Sequence, residues 1–235
     1  MIKSASRCTQ EKTITMVGIN AEKKEAVIFN PRCKSWKCPY CAEKNSQDWQ
    51  YRVLKGALEL SAQGHALRFI TLTSRTYATP TTSLYYFKQN WPKLQRRAKY
   101  NTEKNGAGLW TYIIIPEQHK TGVLHCHLIA TTDLTSRWWH DNGYACGFGF
   151  QNKSIPVENP VGCAGYVTKY LAKSIAYNQW PPKFRRIRAS QKWPVVAKPK
   201  PEGWEYKAHT DESAWFEYFL LKDYGYKVTD QRGVE

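Results

Sequence analysis

Acidic side chains are scarce in this chain. It has 19 Asp and Glu against 35 Lys and Arg, a formal net charge of +16 over 235 residues. Such an imbalance argues against a cationic partner and for a polyanionic one. No apolar run approaches the length that spans a bilayer, and no basic amphipathic helix stands out to lie along one. Residues 1–10 lack the apolar stretch of a secretion signal. Nucleic acid is therefore the expected partner rather than a membrane, and the cytoplasm the expected compartment. The 7 cysteines are odd in number and follow no framework spacing, which argues against a secreted disulfide scaffold. There is no internal repeat, no low-complexity tract and no Gly-rich phosphate-binding loop of the helicase kind, so any unwinding of a duplex falls to a partner.

Aromatic residues, by contrast, are plentiful, with 10 Trp and 15 Tyr. Flat rings interleaved with basic side chains suit single-stranded nucleic acid, whose bases stack while its phosphates pair with cations. Four of the cysteines fall early: Cys8, then Cys33, Cys38 and Cys41. A Cys-x-x-Cys pair is the usual half of a structural zinc site, and four thiolates would close a tetrahedron around Zn2+. Arg32, Lys34, Lys37, Trp36 and Tyr40 surround this knuckle and could touch DNA. Cys38-Pro39-Tyr40-Cys41 also looks like the active-site tetrapeptide of glutaredoxins. That reading leaves Cys8 and Cys33 without a role, and the Val-Pro segment that should follow some forty residues on is missing. Cys146 and Cys163 have no close partners and read as core or loop thiols.

Hydropathy patterns place helices over 42–60 and 82–100, the second with Lys88, Lys93, Arg96, Arg97 and Lys99 on its polar side. Residues 67–73 alternate as a strand, as do 109–115 and 123–129. Between the last two, Lys120-Thr121-Gly122 reads as a three-residue hairpin loop. Alternate residues of a strand share a face, so His125 and His127 point together. A loop centred on Thr121 sets Glu117 opposite His125 on that same face. Two imidazoles and a carboxylate then converge as a metal site with open positions. A slip of one residue would turn Glu117 away and leave Gln118 or His119 as substitutes.

A short helix or turn is expected over 134–142, and a Gly/aromatic stretch over 143–150 leads toward another strand. Next comes a helix over 160–178, capped by Asn159 with Pro160 in its first turn. Val161, Ala164, Val167, Leu171 and Ile175 form its apolar stripe, while Tyr166 and Tyr170, one turn apart, share another face. Residues 184–190 read as a basic edge strand on which Arg185, Arg186 and Arg188 could track a phosphate backbone, although charged edges also serve to prevent aggregation. A Pro/Lys-rich linker at 198–201 and a packing helix over 212–226 complete the chain. Metal and tyrosine together suggest in-line attack of a phenolic oxygen on a metal-polarised DNA phosphate, giving a 5′-phosphotyrosine and a free 3′-hydroxyl. A phenol of ordinary pKa near 10 needs nearby positive charge for this.

Phe69-Ile70-Thr71-Leu72-Thr73, His125-Cys126-His127 and Tyr166-Val167-Thr168-Lys169-Tyr170-Leu171-Ala172-Lys173 resemble, in this order, the three motifs of HUH rolling-circle replication initiators. The likeness is to the replication proteins of small single-stranded DNA phages, of microvirus and filamentous type. It implies an α+β fold, an antiparallel five-stranded RRM-like sheet with flanking helices and the histidines on a central strand, beside the small N-terminal Cys-rich knuckle. It further implies catalytic Mg2+ or Mn2+ held by His125, His127 and Glu117, with Tyr166 and Tyr170 as nucleophiles. Lys169 or Lys173 would orient the phosphate or help the metal, and the first motif, with Arg68, Thr71 and Thr73, would line the DNA site. Single-stranded origin DNA, a host helicase and a single-strand-binding protein are the implied partners, in a bacterial cytoplasm if the chain is encoded by a phage or plasmid. The expected organisation is a knuckle and helix over 1–63, the endonuclease domain over 64–197, and a linker with a packing helix over 198–235. A relaxase or transposase of the same chemistry, or a non-catalytic zinc-containing nucleic-acid binder, are the alternatives.

Overall fold

The computed structural model describes residues 14–77, 79–104, 108–119, 123–176, 180, 184–194, 196 and 201–231, with backbone alone at 80, 170 and 172–176. In chain order the elements are β1 (Thr15–Asn20), β2 (Glu25–Phe29), α1 (Pro39–Ala62), β3 (Leu67–Thr73), α2 (Pro80–Lys104), β4 (Tyr112–Gln118), β5 (Leu124–Thr131) and α3 (Ser136–Ala145). There follow β6 (Lys153–Pro156), α4 (Pro160–Ala176), β7 (Arg188–Ala189), β8 (Glu205–His209), α5 (Asp211–Asp223) and β9 (Lys227–Asp230). They form two compact units, residues 46–197 and residues 1–45 with 198–235.

The larger unit carries a five-stranded sheet in the order β6-β3-β5-β4-β7, antiparallel at each pairing. Strand alternation divides its side chains between two faces. Ile70, Leu72, Ile114, Leu124, Cys126 and Leu128 point to one side, where Leu84, Phe87, Trp91, Leu94 and Ala98 of α2 meet them with Trp139 of α3. These α2 positions recur at three- and four-residue spacing, which gathers them into one stripe. Each fully buried large side chain contributes about 1.5–3 kcal/mol. Lys88, Lys93, Arg96, Arg97 and Lys99 of α2 are exposed. They belong to a helix on the side of the sheet away from the histidines.

The second face carries Phe69, Thr71 and Thr73 from β3, His125, His127 and Ile129 from β5, and Ile113, Ile115 and Glu117 from β4. Helix α4 packs against β4 and β5 on this face, and Ala164, Val167 and Leu171 are buried in it. The isoleucines are fully buried as well. This face is thus apolar toward one end of the strands and polar toward the other. On α1, Gly56 lets the Trp193 ring close in: a Cβ there would sit 2.3 Å from the indole nitrogen.

The basic edge strand expected over 184–190 pairs with β4 only as β7. Its earlier part turns inward instead: Ile187 is buried, and Phe184 stacks on Trp180 with centroids 4.8 Å apart. The 143–150 stretch ends α3 and makes one bridge, Ser74 with Phe148, before the chain enters β6.

The smaller unit is a four-stranded sheet in the order β8-β1-β2-β9, with β9 parallel to β2. Val17, Ala26 and Ile28 pack against Ala214 and Leu221 of α5. Thr210 caps that helix by accepting from the Ser213 N–H, and Asp211 accepts a hydrogen bond from Thr15 on β1. The packing helix was legible in the sequence. Strands β8 and β9 were not, since short runs such as Glu-Tyr-Lys-Ala-His in β8 carry little apolar alternation. Of the linker, residues 198–200 lie outside the described residues, as does the 120–122 hairpin loop.

Candidate active site and cysteine cluster

The register of β4 and β5 sets Glu117 opposite His125 and Gln118 opposite Leu124, and the His119 N–H donates to Val123 O across the turn at 2.9 Å. This is the pairing that a loop centred on residue 121 requires. Glu117 Oε2 lies 2.9 Å from His127 Nε2. His127 is 5% exposed, whereas His125 is half-buried and lies 3.4 Å from the Thr73 hydroxyl through Nδ1. Burial, and then the neighbouring His127, lower the His125 pKa from its ordinary 6.5, with Glu117 acting in the opposite sense and His119 adding to the lowering. His125 is therefore neutral at pH 7, the form that can donate a lone pair to a metal. Gln118 points to the other face and is buried there, while the His119 ring stays 5.8 Å from that of His125.

Helix α4 begins as its sequence dictates: Asn159 Oδ1 accepts from the Gly162 N–H at 3.0 Å. The stripe that anchors it differs slightly from expectation. Val161 is exposed in the first turn, and Thr168 is buried instead, its hydroxyl bonded to Ala164 O. A hydroxyl satisfied by its own helix can enter a core that an unpaired one could not. The opposite side presents Tyr166, half-exposed, and exposed Lys169. Tyr166 meets the ring of Phe69 edge-on at 5.5 Å, and Phe69 in turn lies parallel to His127 at 5.9 Å. One aromatic side chain of β3 thus touches both the tyrosine helix and the histidine strand. The side chains of Tyr170 and Lys173 lie outside the described residues.

Three of the arginines expected to contact DNA are engaged or buried within the protein. Arg68 alternates with Phe69 and so leaves the histidine face; its Nε donates to the Ser154 hydroxyl at 2.8 Å on β6. Arg186 is 4% exposed, and Arg188 lies over the rings of Phe87 and Phe184 at 5.2 and 5.5 Å. Arg185 alone of the four is exposed. Thr71 and Thr73 do share the histidine face. Sequence reasoning passed over Phe69 as a link, Asn152, whose Oδ1 accepts from the Thr73 N–H at 3.0 Å, and the exposed rings of Tyr144 and Phe150. Alternation within β3 would have disclosed Phe69. The other contacts are long-range and leave no local signal.

In the smaller unit, the sulfurs of Cys33, Cys38 and Cys41 lie within 4.8 Å of one another, with Cys33 and Cys41 3.4 Å apart. Zn–S bonds of about 2.3 Å put sulfur ligands roughly 3.8 Å apart along a tetrahedral edge, so the trio could hold zinc. Cys8 lies outside the described residues. Because Cys33 joins the Cys-x-x-Cys pair, the cluster offers a metal three sulfur donors where a redox dithiol needs two. Among the described residues this trio alone draws three donor atoms so close; the set of His125, His127 and Glu117 is more open. Its two imidazoles and one carboxylate nevertheless suit a cation that keeps positions for substrate oxygens.

Residues 67–175 match the family model of the replication-associated protein ORF2. No curated protein and no solved structure gives a significant match. The matched stretch begins at β3, includes the β4–β5 hairpin with its histidines and extends into α4. Over this stretch, a little under half of its length, the chain is similar to replication-associated proteins. No helix among the described residues is long and apolar enough to cross a membrane.

Proposed function

We propose that the chain is a rolling-circle replication initiator of the HUH type, which nicks and rejoins single-stranded origin DNA through a 5′-phosphotyrosine. The observation that carries this reading is the chain of ring contacts from Tyr166 through Phe69 to His127, in a segment that resembles replication-associated proteins. A divalent cation, Mg2+ or Mn2+, held by His125, His127 and Glu117 would withdraw charge from the scissile phosphate. The phenol of Tyr166 gives up its proton and its oxygen bonds to phosphorus as the bond to the 3′ oxygen breaks; that oxygen takes up a proton and leaves as a hydroxyl, so the step is proton-neutral. Rejoining is the reverse, with a 3′-hydroxyl displacing the tyrosine. Phe69 fixes the rotamer of Tyr166 and the plane of His127, so the reacting groups are oriented before DNA binds. Lys169, exposed one turn along the helix, can steer the phosphate. Tyr170 would be the second nucleophile, and Lys173 a second cation near the phosphate. Zinc at Cys33, Cys38 and Cys41, with Cys8 as fourth ligand, would serve structure rather than chemistry. The single-stranded origin is the substrate, and a host helicase and single-strand-binding protein are the expected partners. We further propose the division into knuckle, endonuclease domain and C-terminal segment as a division of labour.

The test is incubation with single-stranded oligonucleotides tiling candidate origins, in the presence of Mn2+, followed by a denaturing gel. A protein–oligonucleotide adduct that vanishes with EDTA, and in the Tyr166→Phe, Tyr170→Phe double variant, is expected. No adduct on any origin would overturn the proposal, and the single variants assign the first nucleophile.

A further inference from the structure

Beside His125 the surface forms a groove of about 590 Å³ whose walls include Arg75, His119, Tyr144, Phe150 and Gln151. That volume lies within the roughly 300–1,000 Å³ usual for small-ligand sites. Two of its rings face water: Phe150 is 71% exposed and Tyr144 52%. They lie edge to face, 6.5 Å apart. His140 supports Phe150 from the side at 4.6 Å, and the Arg75 guanidinium lies 5.1 Å over the Tyr144 ring.

The backbone beneath these rings is tied down at several points. Gly147 has φ +95°, a conformation other residues rarely adopt, and its carbonyl accepts from the Asn90 amide at 3.0 Å. Gly149 donates to Thr73 O at 2.7 Å, so close to β3 that a Cβ would fall 2.7 Å from the Ser74 carbonyl oxygen. Asn152 binds Gly149 O with its Nδ2 and the Thr73 N–H with its Oδ1. Arg75 Nε reaches Phe148 O at 3.3 Å. Two rings are thereby held in water on a clamped loop, next to an exposed cation.

We propose that Tyr144 and Phe150 form a stacking subsite for one or two unpaired bases of single-stranded DNA, with Arg75 taking the adjoining phosphate. A ring accepts any base by stacking, and a neighbouring arginine supplies the charge that phosphate requires. The groove shares His125 with the candidate active site, so the bases it holds are those flanking the scissile phosphate. The inference rests on the reading of the protein as a single-strand nuclease, but binding can be measured apart from cleavage.

The experiment uses fluorescein-labelled oligothymidylate in EDTA, where the proposed metal-dependent cleavage cannot occur, and reads affinity by anisotropy. Phe150→Ala and Tyr144→Ala should each weaken binding roughly tenfold. Phe150→Leu, which keeps apolar bulk without the π face, should behave as Phe150→Ala, and Phe150→Trp should restore affinity. With 2-aminopurine in place of a thymine in the oligonucleotide, binding should quench its fluorescence, and the quenching should disappear in Phe150→Ala. Circular dichroism should be unchanged, since both rings are exposed. Wild-type affinity and quenching in the Ala and Leu variants, or no binding by the unmodified protein, would overturn the subsite. Ring-dependent binding without any Mn2+-dependent adduct would support the subsite and remove the nuclease.

Discussion

Phe69 is where strand and helix meet in the candidate site, with His127 on its face and Tyr166 at its edge. Aromatic contacts of this kind contribute about 0.5–1.5 kcal/mol each beyond the area they bury. Phe69→Leu should therefore leave the fold intact while slowing adduct formation at least about tenfold, since a loosened nucleophile loses its alignment; single-turnover assays with Mn2+ would read this. The neighbouring His125 has a lowered pKa, so its imidazole stays mostly neutral at its ordinary value of 6.5 and protonates further toward acid. In the metal-free protein its ring signals, followed by NMR, should titrate with a midpoint below 6.5. A midpoint above 6.5 would contradict a lowered value. At this scale much was legible. Strand alternation and hairpin register placed Glu117, His125 and His127 on one face, because both are fixed by local geometry. Arg68, Arg186 and Arg188 were not legible: charge suggests solvent, and only the tertiary fold supplies the Ser154 hydroxyl and the Phe87 ring that hold two of them.

Among the elements, the long amphipathic ones read clearly. The α4 cap at Asn159 and its buried Ala164, Val167 and Leu171 follow from helical spacing, and the exposure of Val161 shows how a first turn can lie beyond the packed surface. Strands β8 and β9 escaped detection because four- and five-residue runs that carry charges have no period to detect. The cysteine cluster combines the two cases. Its Cys-x-x-Cys pair is a local signal, whereas the approach of Cys33 to Cys41 depends on the turn through Lys34, a residue with φ 55°. Cys38→Ser should release zinc from the purified protein, measured with a chromogenic chelator, while adduct formation at the separate Tyr166 site persists. Cleavage lost in step with zinc, with the larger unit still folded, would argue against a structural role. Cys163, by contrast, should resist alkylation near neutral pH, because burial pushes its thiol up to about 11.

Over the whole molecule, a net charge of +16 predicts steep salt dependence. Each single-strand phosphate neutralised adds about 0.7 to the slope of log affinity against log salt. Titrations of oligothymidylate binding between roughly 50 and 200 mM salt should give a slope that Phe150→Ala leaves unchanged and Arg75→Ala reduces by about that amount. The five-stranded sheet with its central histidine strand was foreseen through the family resemblance, not through composition. The second sheet was not foreseen, since its strands lie on either side of the entire larger unit in the chain.

That arrangement has a temporal side. A ribosome delivers β1 and β2 long before β8 and β9, so the first strands emerge with their outer backbone edges unpaired and Val17 and Ile28 without the helix that covers them. The sheet with the histidines can close while synthesis continues; the smaller sheet has to wait for residues 205–230. A nonsense mutation late in the reading frame would thus leave a truncated chain with its histidine sheet made and its first hairpin still sticky.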